Sequence, residues 1–218
     1  MPTDVPIKKL ILVPALITLA VTLLRLTGEL LHWSPRLFNP AAGGGGAIVG
    51  IAWLVPIFGV YFAWQLARGG EHPSSALAAM GYPLLGGLLL PAVGFVTAKL
   101  GVDSQSVWML LVFVVASVVG GVIAMRGWPA LGRVLFAYGL AARIPVAIVM
   151  LIAILANWGT HYDVAPPGFP AMGPLPRWLL IGLLPQMTVW IWYTIVLGGL
   201  FGGATAAILR RARRPATA

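Results

Sequence analysis

Long apolar runs, separated by short breaks of polar residues, glycine and proline, organise this chain. Within the runs apolar residues follow one another without the strict alternation of a lumen-facing strand, which predicts helices rather than a β-barrel. Six runs reach the length of about 20 residues that a helix needs to cross a bilayer. They cover 7–31, 47–67, 75–100, 106–125, 129–157 and 177–209. The breaks read "SPRLFNPAAGGGG", "RGGEHPSS", "GVDSQS", "RGWP" and "WGTHYDVAPPGFPAMGPLP", the residue types of turns and loops. The expected fold is an all-α integral membrane protein, a bundle of about six transmembrane helices forming one domain over 1–218.

Composition supports this picture. Apolar types make up 60% of the 218 residues and charged types 9%, against roughly 25% charged in a soluble domain. A chain so short of charge cannot clothe a soluble globule. In lipid its backbone groups must be satisfied inside helices. There is no cysteine, which excludes disulfides, thiolate metal sites and thiol chemistry. The first run follows Lys8 and Lys9 as in a signal peptide. It continues into "RLTGELLHW" with no small-x-small cleavage site, so a retained first span is expected.

Charge orients the bundle. The net charge is +9, and Arg210, Arg211, Arg213 and Arg214 supply much of it after the last run. A basic tail there is a topology anchor that touches anionic lipid, and nucleic acid is not an expected partner. With both termini cytoplasmic, the inner side holds Lys8, Lys9, Arg68, Arg126, Arg133 and the four tail arginines. The outer side holds Arg25, Arg36, Lys99 and Arg177, and Arg143 lies within a span. Trp33, Trp108, Trp158 and Trp178 then mark the outer interface, and Trp64 and Trp128 the inner one, as in an aromatic belt. A multi-pass protein of a cell membrane, of bacterial inner-membrane type, is the expected setting.

Four features carry candidate chemistry. First, Thr18, Thr22, Arg25, Glu29, His32 and Arg36 fall within an arc of about 80° on a helix. They form either a salt-bridged span end, with Arg25 and Glu29 paired at i,i+4, or the polar wall of an outward cavity. Second, Arg143 in "YGLAARIPVAIV" sits about 21 Å from the inner end of its span, near mid-depth. No acidic residue lies at that depth in another span. A guanidinium there suits a carboxylate or phosphate, or else it bonds carbonyls freed near Pro145 or lies along the inner interface. Third, "NWGTHYD" places His161, Tyr162 and Asp163 on the side of Glu29 and His32. Glu29, His161 and Asp163 are candidate acid–base groups, and the spacing fits no metal motif. Fourth, Gly198, Gly199, Gly202 and Gly203 form overlapping small-xxx-small pairs in the last span. They serve tight packing within the chain or a homodimer. Gln186, Trp190, Trp192 and Tyr193 in the same span either line a ligand pocket or pack. Pro14, Pro56, Pro83, Pro91, Pro145 and Pro185 interrupt helices, as in a bundle that encloses a cavity.

No phosphate loop, dinucleotide fingerprint or nucleophile elbow is present, and no cofactor is indicated. The leading expectation is a transporter or channel for a small solute or anion. Its outward polar vestibule would use Arg143, Arg25, Glu29, His32, Gln186 and Tyr162, with a small anionic or lipid-like ligand. The alternatives are a membrane-embedded enzyme acting on a lipid or isoprenoid, and a structural subunit of a larger membrane complex.

Overall fold

The computed structural model describes residues 6–103 and 106–212. Arg213 and Arg214 of the basic tail lie outside the described residues. Among those residues there is no strand. The helices are α1 (Ile7–Leu30), α2 (Leu54–Arg68), α3 (Ala76–Lys99), α4 (Val107–Met125) and α5 (Pro129–Ala156). A broken final stretch follows: α6 (Pro174–Arg177), a π-helical segment (Trp178–Leu183), α7 (Leu184–Met187) and α8 (Val189–Ala212).

Five of these units are long and apolar enough to cross a membrane: α1, α3, α4, α5 and the composite Pro174–Arg211. Their ends follow the sequence signals. Ser75 and Ser106 cap α3 and α4, accepting from the backbone N–H of Ala78 and Met109. Pro129 opens α5, and Asn157 closes it in the left-handed conformation at φ 50°.

The second expected span is shorter than its apolar run. A helix over 47–67 was expected, and α2 begins only at Leu54. Residues 39–53 form turns and bends instead, with one 3₁₀ turn at Ala42–Gly44. The backbone at 47–53 is bonded elsewhere: the N–H groups of Ile48 and Val49 donate to the Arg36 and Leu37 carbonyls, at 3.3 and 3.1 Å, and Gly43, Gly44 and Gly46 just before it have positive φ. At about 1.5 Å per residue, the 15 residues of α2 reach roughly 22 Å, short of a hydrocarbon core of about 30 Å.

Helix α8 is the hub and packs against α2, α3, α4 and α5. Phe62, Leu66, Leu131, Leu135 and Tyr138 are almost fully buried around it. Glycine sets the closest approaches. A Cβ on Gly59 of α2 would stand 2.5 Å from the Gly198 carbonyl oxygen of α8. One on Gly203 would stand 2.6 Å from the Ala79 carbonyl oxygen of α3. Gly202 faces Leu131, Gly59 and Ala63, and Gly199 faces Pro83. In lipid there is no hydrophobic drive between helices, so such backbone contact is a main source of cohesion. All four glycines of the last span face other helices of the same chain.

These contacts also fix direction. The C-terminal halves of α2, α4 and α8 lie beside the N-terminal halves of α3 and α5. The C-terminal end of α1, the 39–53 segment and the 157–164 loop gather at the opposite end.

Candidate functional site

Thr22 and Arg25 of the polar stripe of α1, with Val21, border a cavity at that opposite end. Pro14, Thr18, Thr22, Arg25 and Glu29 are buried along one helix face, the repeat of three and four that a helix face demands. Thr18 and Thr22 return their hydroxyl protons to the carbonyls of Pro14 and Thr18, at 2.8 and 2.9 Å. The stripe stops with the helix. His32 takes φ 52°, and both His32 and Arg36 are exposed. Neither lines the cavity.

Glu29 is the organising anion. Its side chain is wholly buried. One carboxylate oxygen accepts from Arg25 Nε at 2.8 Å and lies 2.6 Å from His161 Nδ1. The other accepts from the His161 backbone N–H at 2.9 Å. Arg25 Nη2 donates to the carbonyls of Asn39 and Gly44, at 3.1 and 2.9 Å. Three chain segments are thus tied together by one ion pair. Gly44 is required here twice over. Its φ is +65°, and a Cβ would stand 2.6 Å from the His161 ring and 2.7 Å from Arg25 Nη2.

Asp163 serves its own turn. It accepts from Gly159 N–H at 2.9 Å and from Thr160 N–H and Oγ1 at 2.7 Å each. Arg177 donates to its backbone carbonyl. A carboxylate so engaged holds the 159–163 turn, and the structure gives it no place on the cavity wall. Tyr162 lines the cavity and donates to the Thr22 carbonyl at 3.2 Å. Burial pushes its phenol well above the ordinary range. Burial also pulls His161 below the usual histidine value. The hydrogen bond to Glu29 opposes that pull and the Arg25 cation adds to it.

The cavity has a volume of about 390 Å³, within the roughly 300–1,000 Å³ of small-molecule sites. Gly43–Gly46 and Gly50–Trp53 border it at the loop end together with His161, Tyr162, Val164 and Pro166. Arg143, Gln186 and Trp190 border it from α5, α7 and α8.

Arg143 stands at the middle of α5 and is 4% exposed. It donates no hydrogen bond to any described residue, and its Nε is buried without a partner. Its guanidinium carbon lies 4.5 Å from the centre of the Trp190 ring, a cation–π contact. Beside it, Gln186 Oε1 is also buried and unpaired, while its Nε2 has only a 3.7 Å contact with Met150 Sδ. The expected alternative, bonding to carbonyls near Pro145, is not what the structure shows. Arg25 is paired with Glu29, so Arg143 carries the uncompensated charge of the lining.

Below Arg143 the interior closes. Tyr138 OH and Thr18 Oγ1 are 2.7 Å apart. The Tyr138 ring lies edge-on to Phe58 and Phe62, with centroids 5.4 Å away in each case.

The apolar lining was missed in part by the sequence reading. Val146 and Met150 follow Arg143 at three and seven positions, so they share its helix face. That spacing was available as a signal. The contributions of Ile51, Trp53 and Gly50 were not, because they depend on the fold of the glycine segment. Among the described residues no group of three or more His, Asp or Glu side chains forms a metal site. No family model, curated protein or solved structure matches this chain.

Proposed function

We propose that this protein binds a small organic anion, a carboxylate or phosphate on an apolar body, and carries it across a membrane. One observation carries the reading: a buried guanidinium without a hydrogen-bond partner among the described residues, at the wall of a partly open cavity. Burying an unpaired charge is costly, and an anion in the cavity offsets that cost through bidentate hydrogen bonds. Val21, Ile51, Val146, Met150 and Trp53 suit the apolar part of the ligand.

Three features favour transport. The chain is broken beside the cavity, where a π-helical segment, Pro185 and a kink at Thr188 (φ −120°) precede α8. Discontinuous helices at a ligand site are a recurring device of transporters. The Tyr138–Phe58–Phe62 cluster separates the cavity from the far end, as one state of an alternating-access cycle would require. Glu29 and Asp163 are already engaged by hydrogen bonds, leaving His161 and the Tyr162 phenol as the acid–base groups on the wall among the described residues.

In this reading the chain makes six crossings. Segment 39–53 and α2 together form the second, both termini are cytoplasmic, and the cavity faces outward. The described residues Lys8, Lys9, Arg68, Arg126, Arg133, Arg210 and Arg211 then sit inside, as the positive-inside rule asks. The bilayer is that of a bacterial cytoplasmic membrane.

A second reading, a membrane enzyme, rests on the Glu29–His161 pair, whose 2.6 Å contact resembles an orienting carboxylate and a base. The test is octanoate binding, followed by calorimetry, and octanoate uptake into proteoliposomes. Binding and uptake are expected for the wild type. Arg143→Lys keeps the charge but loses the fork, and at least a tenfold weaker binding is expected. Undiminished binding by that variant overturns the anion site. Binding without uptake, in vesicles that hold folded protein, overturns transport and favours the enzyme.

A further inference from the structure

Histidine 161 sits in the same cavity with one ring nitrogen committed and the other free. Nδ1 is 2.6 Å from a Glu29 oxygen, and that carboxylate also accepts from Arg25 and from the His161 backbone. An ionised carboxylate only accepts, so Nδ1 carries the hydrogen and the tautomer is fixed. Nε2 has no partner among the described residues, and the ring lines the cavity wall. The basic lone pair of a neutral imidazole is therefore available at Nε2.

The charges around it divide simply. From α1 come Arg25 and Glu29, paired with each other. From its own loop come Tyr162, neutral, and Asp163, committed to the 159–163 turn. From α5 comes Arg143. The Ala42–Gly44 turn supplies only glycine and carbonyl groups, and α7 and α8 supply the uncharged Gln186 and Trp190. Among the lining residues, then, the uncompensated charge is positive and works against a second cation on Nε2. An anion on Arg143 removes that opposition and adds an attraction in a medium of low polarity.

We propose that His161 takes up a proton at Nε2 as the anion binds, so that the protein binds, and carries, an anion and a proton together. The proton comes from the water on the loop side of the cavity. Nδ1–H stays on Glu29, and no bond to the ligand forms or breaks. The depression of the His161 pKa by burial agrees with this, since it leaves the imidazole neutral and able to accept. Linkage makes the effect reciprocal: whatever factor the anion adds to proton affinity, the proton adds to anion affinity.

The inference rests on the anion-site reading, and the experiment separates the two. The His32→Gln/His72→Gln variant leaves His161 as the chain's one histidine, and both replaced residues are exposed. This protein, labelled with ¹⁵N-histidine in micelles, is titrated from about pH 8 to pH 5 with and without octanoate. That ligand stays ionised over most of the range, because carboxyl groups titrate near about 4. Calorimetry in two buffers of different ionisation enthalpy counts the protons taken up. The expected result is a His161 pKa at least one unit higher with octanoate, about a tenfold change in proton affinity, and net proton uptake on binding. Octanoate binding with an unmoved His161 pKa and no proton uptake overturns the coupling and leaves the anion site intact. No octanoate binding at any pH, by folded protein, overturns both.

Discussion

Removing the negative charge of Glu29 is the sharpest test of the architecture around the cavity mouth. In Glu29→Gln the shape is nearly kept, but a carboxylate that accepts from Arg25 Nε, His161 N–H and His161 Nδ1 becomes a neutral amide. At most one of its two side-chain heads still accepts, and the new NH₂ points at a donor. Arg25, whose side chain is only 10% exposed, loses its counter-charge. Breaking a buried ion pair from one side costs about 3–5 kcal/mol. Arg25 keeps its bonds to the Asn39 and Gly44 carbonyls, so the low end, about 3 kcal/mol, is the better figure. At roughly 2–4 °C per kcal/mol for a chain of this size, the thermal midpoint in detergent should fall by about 6–12 °C. The companion variant Arg25→Met/Glu29→Gln removes both charges. It should lose less than the sum of the single losses, because no uncompensated cation remains. A Glu29→Gln midpoint within about 2 °C of wild type would refute the account of this ion pair as the tie between α1, the glycine segment and the 157–164 loop.

Arg143→Met should act in the opposite sense, raising the thermal midpoint by a few degrees while abolishing octanoate binding. An unpaired buried cation is replaced by an apolar chain of similar length, and a lower midpoint in scanning fluorimetry would show that Arg143 is a structural residue. Gly59→Ala should lower the midpoint by several degrees, since its Cβ would stand 2.5 Å from a backbone oxygen that cannot step aside. Gly81→Ala, where nothing lies within 4 Å, should be neutral or stabilising by about 0.5–1 kcal/mol through helix propensity; equal losses at the two sites would undo the close-approach argument. Stability should also fall on acidification. The depressed folded value of His161 means that the unfolded chain binds the extra proton first. This contribution is complete above the unfolded histidine pKa of about 6.5 and declines as pH drops toward the lower folded value. Midpoints measured from about pH 7.5 to pH 5 should show that decline in wild type and less of it in His161→Gln.

The membrane character and the helical class were legible in the sequence for a simple reason. A lipid solvent imposes long uninterrupted apolar runs whatever the fold, so composition and run length carry the signal. Helix ends were legible where a residue acts locally, as Ser75, Ser106, Pro129 and Asn157 do. Spacing along one helix also survived: Thr18, Thr22, Arg25 and Glu29 share a buried face as their periodicity demands. The isolation of Arg143 was visible too, because no other span offers an acid at its depth.

Tertiary structure decided everything that depends on residues far apart in the chain. Apolarity alone could not reveal that 47–53 leave the helix, since the bonds of Ile48 and Val49 to the Arg36 and Leu37 carbonyls, not hydropathy, hold that segment. Nor could it tell a solvated His161 from one locked to Glu29 across 132 positions. Asp163 and His161 stand two residues apart in one loop. One is consumed by its own turn, and the other is turned into a cavity with Arg143 and Gln186. Local pattern determines which faces are polar, because periodicity is a property of a single helix. Which polar groups meet, and which cation is left without a partner, is settled only when the helices pack, because those energies belong to pairs of segments.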